Sequence, residues 1–205
     1  MILQLDKLVP GDMIIMLVSS NLFKKSSKSR KVRCEICANY CKIADGSYGI
    51  CKQHKNINGE LFDESFGVVS SLNADPIEKK PLYHFLPGTL TYSVGGFGCN
   101  MGCLHCQNYM ISQEFDKISD RFNILPETIV ENAINQGCKS IAWTYNEPTI
   151  HLPFNKKTSL LAKRKNLKIV YVSNGYMSDQ SLSEILNFVD AFNIDLKSMS
   201  QNFYK

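Results

Sequence analysis

The sequence predicts an α/β fold built on a parallel sheet and preceded by a small cysteine-rich module. Three observations predict it. From about Leu90 onward, strand-like and helix-like patterns alternate, and a repeated β–α order implies parallel strands joined by right-handed crossovers. Chemistry-bearing residues then fall at the C-terminal end of each strand: Cys99 after the first, Asn146-Glu147 after the second, Asn174-Gly175 after the third, and Asp195 and Lys197 at the fourth. In β/α barrels that rim is the active-site face. Finally, every cysteine but Cys138 stands in one of two tight groups: Cys34, Cys37, Cys41 and Cys51, then Cys99, Cys103 and Cys106.

The elements follow in order. Residues 90–94, Leu90-Thr91-Tyr92-Ser93-Val94, read as the first strand. Residues 123–134 read as a helix, with Pro126 near its first position, Glu127 in its first turn and Gly137 at its stop. A second strand is expected over 140–145, a helix over 154–165, and a third strand over 168–173, whose apolar, β-branched character suits burial on both faces. Ser178 or Asp179 can cap a helix over 178–188, and 191–196 forms the fourth strand. Upstream, residues 1–30 read as a weakly ordered N-terminal extension. Residues 31–60 form the compact module, with turns at Asp45-Gly46 and Asn58-Gly59. Residues 61–88 connect it to the core, punctuated by Asp75-Pro76, Lys80-Pro81 and Leu86-Pro87-Gly88; each residue before a proline is biased toward extended geometry. The expected organisation is thus 1–30, 31–88 and a core over 89–205.

A chain of 205 residues has room for one sizeable domain and a small module. Its formal charge of +4 is mild. Much of the excess sits in Lys24, Lys25, Lys28, Arg30, Lys31 and Arg33. No aromatic residues interleave that run to stack on bases, so it reads as a solvated face and no nucleic-acid partner is expected. The apolar run 13–18 is far short of the ~20 residues needed to span a bilayer, and no secretory signal is evident. Clustered thiols at gaps of two and three residues favour metal over disulfides. A reducing cytoplasm is the expected compartment.

The spacing C-x3-C-x2-C at Cys99, Cys103 and Cys106 carries the chemistry. Iron–sulfur clusters usually take four cysteines. Three thiolates hold a cubane but leave one iron open, and an open position separates catalytic from structural metal sites. The loop is glycine-rich, Gly95-Gly96-Phe97-Gly98 before Cys99 and Gly102 before Cys103, as a backbone wrapping a cluster requires. The competing reading is a zinc site completed by His105.

Four stretches resemble the AmmeMemoRadiSam system radical S-adenosylmethionine (SAM) enzymes, relatives of the pyruvate formate-lyase activating enzymes. They are Val32-Arg33-Cys34-Glu35-Ile36-Cys37 through Cys51, Asp75-Pro76-Ile77-Glu78-Lys79-Lys80-Pro81-Leu82-Tyr83-His84-Phe85, the cluster loop ending Cys106-Gln107-Asn108, and Thr144-Tyr145-Asn146-Glu147-Pro148-Thr149. The resemblance covers about residues 31–205. It implies a partial TIM-like (β/α) radical SAM barrel, here truncated after the fourth strand, where the family continues with further β/α units. It implies a [4Fe-4S] cluster, SAM chelated at the open iron, an electron donor protein, and hydrogen abstraction from a substrate that can itself be a protein. It places His105 beside the adenine, Asn146 and Glu147 near the SAM amino group, Asn174 near SAM on the third strand, and Asp195 and Lys197 on the fourth. Each has a plainer reading: Glu147 as a helix-start residue, Asn174-Gly175 as a turn, and Asp195–Lys197 as an ion pair.

Cys34, Cys37, Cys41 and Cys51 form a candidate second site for zinc or an auxiliary cluster, with His54 as a competing ligand and four free thiols as the alternative. Cys138 and Trp143 read as packing residues, and no role is assigned to Tyr83 or His84. Two other functions stay open. One is a glycyl-radical activating enzyme; the other is a non-catalytic metal-binding module.

Overall fold

The structure is a computed structural model; it describes residues 16–27, 29–118 and 122–204. Residues 1–15 of the expected extension and Lys28 of the basic run lie outside the described residues. In chain order the elements are β1 (Met16–Ser19), β2 (Phe23–Lys25), β3 (Val32–Cys34), β4 (Lys42–Ile43), β5 (His54–Ile57), β6 (Glu60–Phe66), β7 (Val68–Val69), β8 (Ser71–Pro76) and β9 (Leu90–Gly95). Then come α1 (Tyr109–Ser112), β10 (Phe122–Asn123), α2 (Pro126–Asn135), β11 (Ser140–Trp143), α3 (Leu152–Arg164), β12 (Lys168–Ser173), α4 (Asp179–Ile185) and β13 (Ala191–Ile194).

The central sheet has the order β13-β12-β11-β9-β8. The four expected strands are present and parallel, with Ala142 level with Ser93 on one side and Val170 on the other. Side chains alternate across it, as a pleated strand dictates. Tyr92, Val94, Ile141, Trp143, Ile169 and Tyr171 join the main core, with Ile129, Val130 and Ala133 of α2, Ala162 of α3 and Ile185 of α4. Ala142 and Val170 point the other way, into a second cluster with Ile77, Leu82, Phe85 and Ala191. Residues 77–85 therefore cover the face of the sheet opposite the main core. Trp143 packs edge-on to Phe154 and donates from Nε1 to Ser159 Oγ at 3.0 Å. Cys138 is buried in the same core.

Element ends shift by up to three residues, with β11 and β13 stopping at Trp143 and Ile194 and α4 at Ile185, and three larger differences from the sequence reading have a physical cause. Helix α2 starts at Pro126, not at Asn123, because Leu125, the residue before the proline, is held extended (φ −78°, ψ 148°); Asn123 instead pairs with Val68. The connector is not a linker: β6 pairs with β1 and β5, and β8 is a fifth strand of the central sheet, antiparallel to β9 from Ser71↔Gly95 to Pro76↔Leu90. Residues 16–25, expected within a weakly ordered extension, are paired here, β1 with β6 and β2 with β3.

The helix ends obey local rules. Ser178 Oγ accepts from Ser181 N–H at the start of α4. Lys163 and Arg164 stand in the last turn of α3, where the dipole favours cations. Within the basic run, Lys24 and Arg33 pair with buried Glu35, Lys25 with Glu60, and Arg30 with Asp45. Exposed pairs such as Lys25–Glu60 contribute only about 0–1 kcal/mol each, so they neutralise charge more than they hold the fold.

Candidate active site

A cavity of about 530 Å³ opens at the C-terminal rim of the parallel strands. It is bordered by all three loop cysteines, Cys99, Cys103 and Cys106, and by His105, Asn146, Glu147, Asn174, Asp195 and Lys197. The residues singled out at four separate strand ends thus share one space. Asp75, Lys79, Lys80, Asn108 and Tyr145 also line it.

The cluster loop is fixed from below by Asn146. Its Oδ1 accepts from Gly96 N–H at 3.0 Å, and its Nδ2 donates to Gly98 O at 2.8 Å. Its amide is therefore spent on the loop backbone. His151 backs it up: Nε2 lies 3.0 Å from Asn146 Nδ2, and Nδ1 lies 2.8 Å from Ser65 Oγ, which in turn donates to Asp63 Oδ1. A Cβ on Gly96 would sit 2.4 Å from His151 Nε2, so glycine is what lets the loop rest on the imidazole.

Burial lowers His151 from 6.5 to about 4, against the pull of Asp63. The folded protein therefore holds this imidazole neutral while the unfolded chain protonates it near 6.5. Its contribution, on the order of 3 kcal/mol, is fully present above that pH and is lost as pH falls from 6.5 toward 4. Burial raises Asp63 and adds a slope of opposite sign. Urea denaturation of wild type and His151→Gln between pH 7 and pH 4 separates the two: the wild type should lose stability relative to the variant as acid is added. Parallel curves would show that His151 is not held neutral.

Glu147 is buried, and both its oxygens are engaged. Oε1 accepts from Thr149 N–H and Oγ1 and from Ser173 Oγ, and Oε2 accepts from Asn174 N–H at 2.8 Å. Burial raises its carboxyl against these hydrogen bonds. It caps the 3-10 turn Pro148–His151 and clasps the end of β12 while bordering the cavity. Asn174 Nδ2 donates to Asn100 Oδ1 at 2.8 Å and stands 4.0 Å from Cys99 Sγ. Asp195 and Lys197 form an ion pair at 3.0 Å on the cavity edge. His105 is exposed at the mouth.

Sequence reasoning assigned no role to the opposite wall. Asp75 takes Lys80 Nζ at 3.0 Å, Lys79 Nζ at 3.1 Å and Tyr145 Oη at 2.9 Å. Burial works to raise its carboxyl, but bonds from Lys80, Tyr145 and Lys79 hold it well below the usual carboxylate range. Tyr145 has φ +72°, a costly backbone for a bulky residue, and its ring lies against Gly95. The Asp75…Lys79 spacing of four was the available signal, but only β8 brings it to the rim.

The three cysteines suit a cluster. Cys99 Sγ accepts the backbone N–H of Met101 and of Glu147, yet burial pushes its thiol up to about 12, so it becomes a ligand only when a cation displaces its proton. Cys103 and Cys106 are half-buried and free, on a loop where a Cβ on Gly102 would meet nothing within 4 Å. As placed, no three Cys, His, Asp or Glu side chains among the described residues are drawn together around a metal ion.

Comparison with known proteins agrees with this geometry. An uncharacterized protein of Methanocaldococcus jannaschii is 44% identical over 185 residues, covering 90% of this chain and 54% of the relative. The chain thus spans about half the length of the curated relative it matches. The Radical SAM superfamily matches residues 93–205, from within β9 through the cluster loop and every later strand. By that match, over more than half of its length and across the whole cysteine-bearing rim, this chain belongs to the radical SAM superfamily.

Proposed function

We propose that this chain holds a [4Fe-4S] cluster on Cys99, Cys103 and Cys106, binds SAM in the adjoining cavity, and directs radical abstraction of hydrogen from a substrate. The observation that carries this is the shared 530 Å³ space, in which three thiols face polar groups from the ends of all four parallel strands. When bound, the cluster supplies one electron that splits the sulfonium of SAM into methionine and a 5′-deoxyadenosyl radical.

The chain's own residues bind and orient. Asn146 and His151 hold the loop. Glu147, with a lone pair left on Oε2, would receive the SAM ammonium while fixing Asn174. Asp195 and Lys197 would bracket the edge of the bound cofactor, and the exposed His105 would cover its adenine. The test is EPR of the anaerobically reconstituted, reduced protein with and without SAM, together with an assay for 5′-deoxyadenosine. A SAM-dependent change in the cluster signal is expected; an unchanged signal at full cluster occupancy would overturn the reading.

The four sequence blocks support placement with the AmmeMemoRadiSam system enzymes and, more broadly, the pyruvate formate-lyase activating type. An activating role would leave a glycyl radical on a partner protein, detectable by EPR after co-expression. Metal analysis separates both from a non-catalytic module, which would carry zinc alone. An electron donor protein is part of the proposal, as is a cytoplasmic setting that keeps the thiols reduced. Among the described residues, no helix is long and apolar enough to cross a membrane.

A further inference from the structure

We infer that Cys34, Cys37, Cys41 and Cys51 bind a structural zinc ion that pins the N-terminal module against the rim of the catalytic cavity. The four come from separate places: the end of β3, the turn after it, the residue before β4, and the loop before β5. The hairpin bond Cys34 N–H to Cys41 O, 2.9 Å, sets two of them side by side. Cys41 Sγ lies 3.7 Å from where a Cβ on Gly49 would stand, which brings the Cys51 loop up to the hairpin. Burial raises Cys34, Cys37 and Cys51, and the nearness of the other thiols of the group adds to it. Cys34, Cys37 and Cys51 are buried, and all four are free thiols.

A second observation points to a ligand. Cys34 Sγ accepts the backbone N–H of Ile36, Cys37 Sγ that of Asn39, and Cys51 Sγ those of Gln53 and His54. Each thus receives a donor from two residues ahead, as Cys99 does from Met101. Burial raises all three thiols against these donors, so, as at Cys99, they become ligands only where a cation displaces the proton. The side chains are not drawn up as placed, but neither are the three of the cluster loop, so that state does not separate the two sites.

Zinc is favoured over a second cluster by room. Cys99, Cys103 and Cys106 border a 530 Å³ cavity, whereas the N-terminal four line neither that cavity nor the neighbouring one of about 610 Å³. A single tetrahedral ion needs no such space. His54 is better placed as support than as ligand, its Nδ1 lying 3.6 Å from Cys51 Sγ. The consequence for the active site is direct. Asn39 Nδ2 donates to Asn100 O at 2.7 Å, Asn100 Nδ2 to Tyr176 O at 2.8 Å, and Asn174 Nδ2 to Asn100 Oδ1. Cys37 bridges to Met177, and Ser178 bonds Glu35 O and Ile36 O. The Cys34–Cys37 knuckle therefore buttresses both the cluster loop and the loop after β12.

The test is zinc, iron and sulfide content of the full chain as wild type, as Cys99/Cys103/Cys106→Ser, and as Cys37→Ser. About one zinc per chain is expected in the wild type and the triple variant, and its loss in Cys37→Ser. Should Cys37→Ser fail to fold, cobalt(II) loading of the triple variant gives an independent readout, with intense thiolate charge-transfer and tetrahedral absorption expected. A triple variant without metal and without cobalt bands overturns the site; iron and sulfide in place of zinc overturns the assignment of the ion. Because the triple variant lacks the cluster ligands, either result stands apart from the proposed catalytic function.

Discussion

Replacing Cys103 with serine should strip the protein of its loop-bound iron and abolish 5′-deoxyadenosine formation, while Cys138→Ala should do neither. A serine hydroxyl does not ionise near neutral pH and is a far poorer ligand for iron than a thiolate. Only three thiols border the cavity, so a cubane that loses one keeps two protein attachments. Cys138 sits in the apolar core behind the sheet, packed near Ala133 and Ile141, so its truncation should cost stability only, by a modest cavity term. The comparison is made by iron and sulfide analysis after anaerobic reconstitution, beside product formation. Full iron in Cys103→Ser would remove the basis for placing the cluster on this loop.

The second large effect is expected at Gly98. Its φ is +83°, and a Cβ there would stand 2.5 Å from Cys51 O and 2.7 Å from Gln53 Nε2. Alanine thus meets two penalties at once: a left-handed backbone, about 1–2 kcal/mol, and overpacking against a carbonyl that cannot swing away, about 1–3 kcal/mol. Gly98→Ala should lose about 2–5 kcal/mol, a fall in Tm on the order of 10 °C for a chain of this size. Gly102→Ala in the same loop has an ordinary backbone and open space around the new methyl, and should stay within about 0.5 kcal/mol of wild type. Thermal unfolding of the two variants side by side decides it. Equal Tm values would mean that the loop does not press on the Cys51 segment as described.

The parallel strands were legible because their apolar runs are bounded by turn chemistry and alternate with amphipathic helices; residues 168–173 were read to the residue. The rim was legible for the same reason, since strand order alone sends Glu147, Asn174 and Asp195 to one side. β8 was not legible. Ser71-Leu72-Asn73-Ala74-Asp75-Pro76 has neither a continuous apolar run nor a β-branched residue, and its place depends on pairing with β9, whose apolar signal dominates. The short antiparallel strands β2 and β4 span only three and two residues, too few for any periodicity. His151 carried no signal of its own in the sequence; its work becomes visible only when Gly96, 55 positions earlier in the chain, is found lying on its ring. The positive φ of Tyr145 carries no sequence signature, because tyrosine rarely adopts it.

Ile77, Leu82 and Phe85 pack with Ala142 and Val170 on the face of the sheet opposite the main core. The stretch between β8 and β9 thus acts as a wedge beneath the central strands, and trimming any of these side chains would hollow out the layer on which those strands rest.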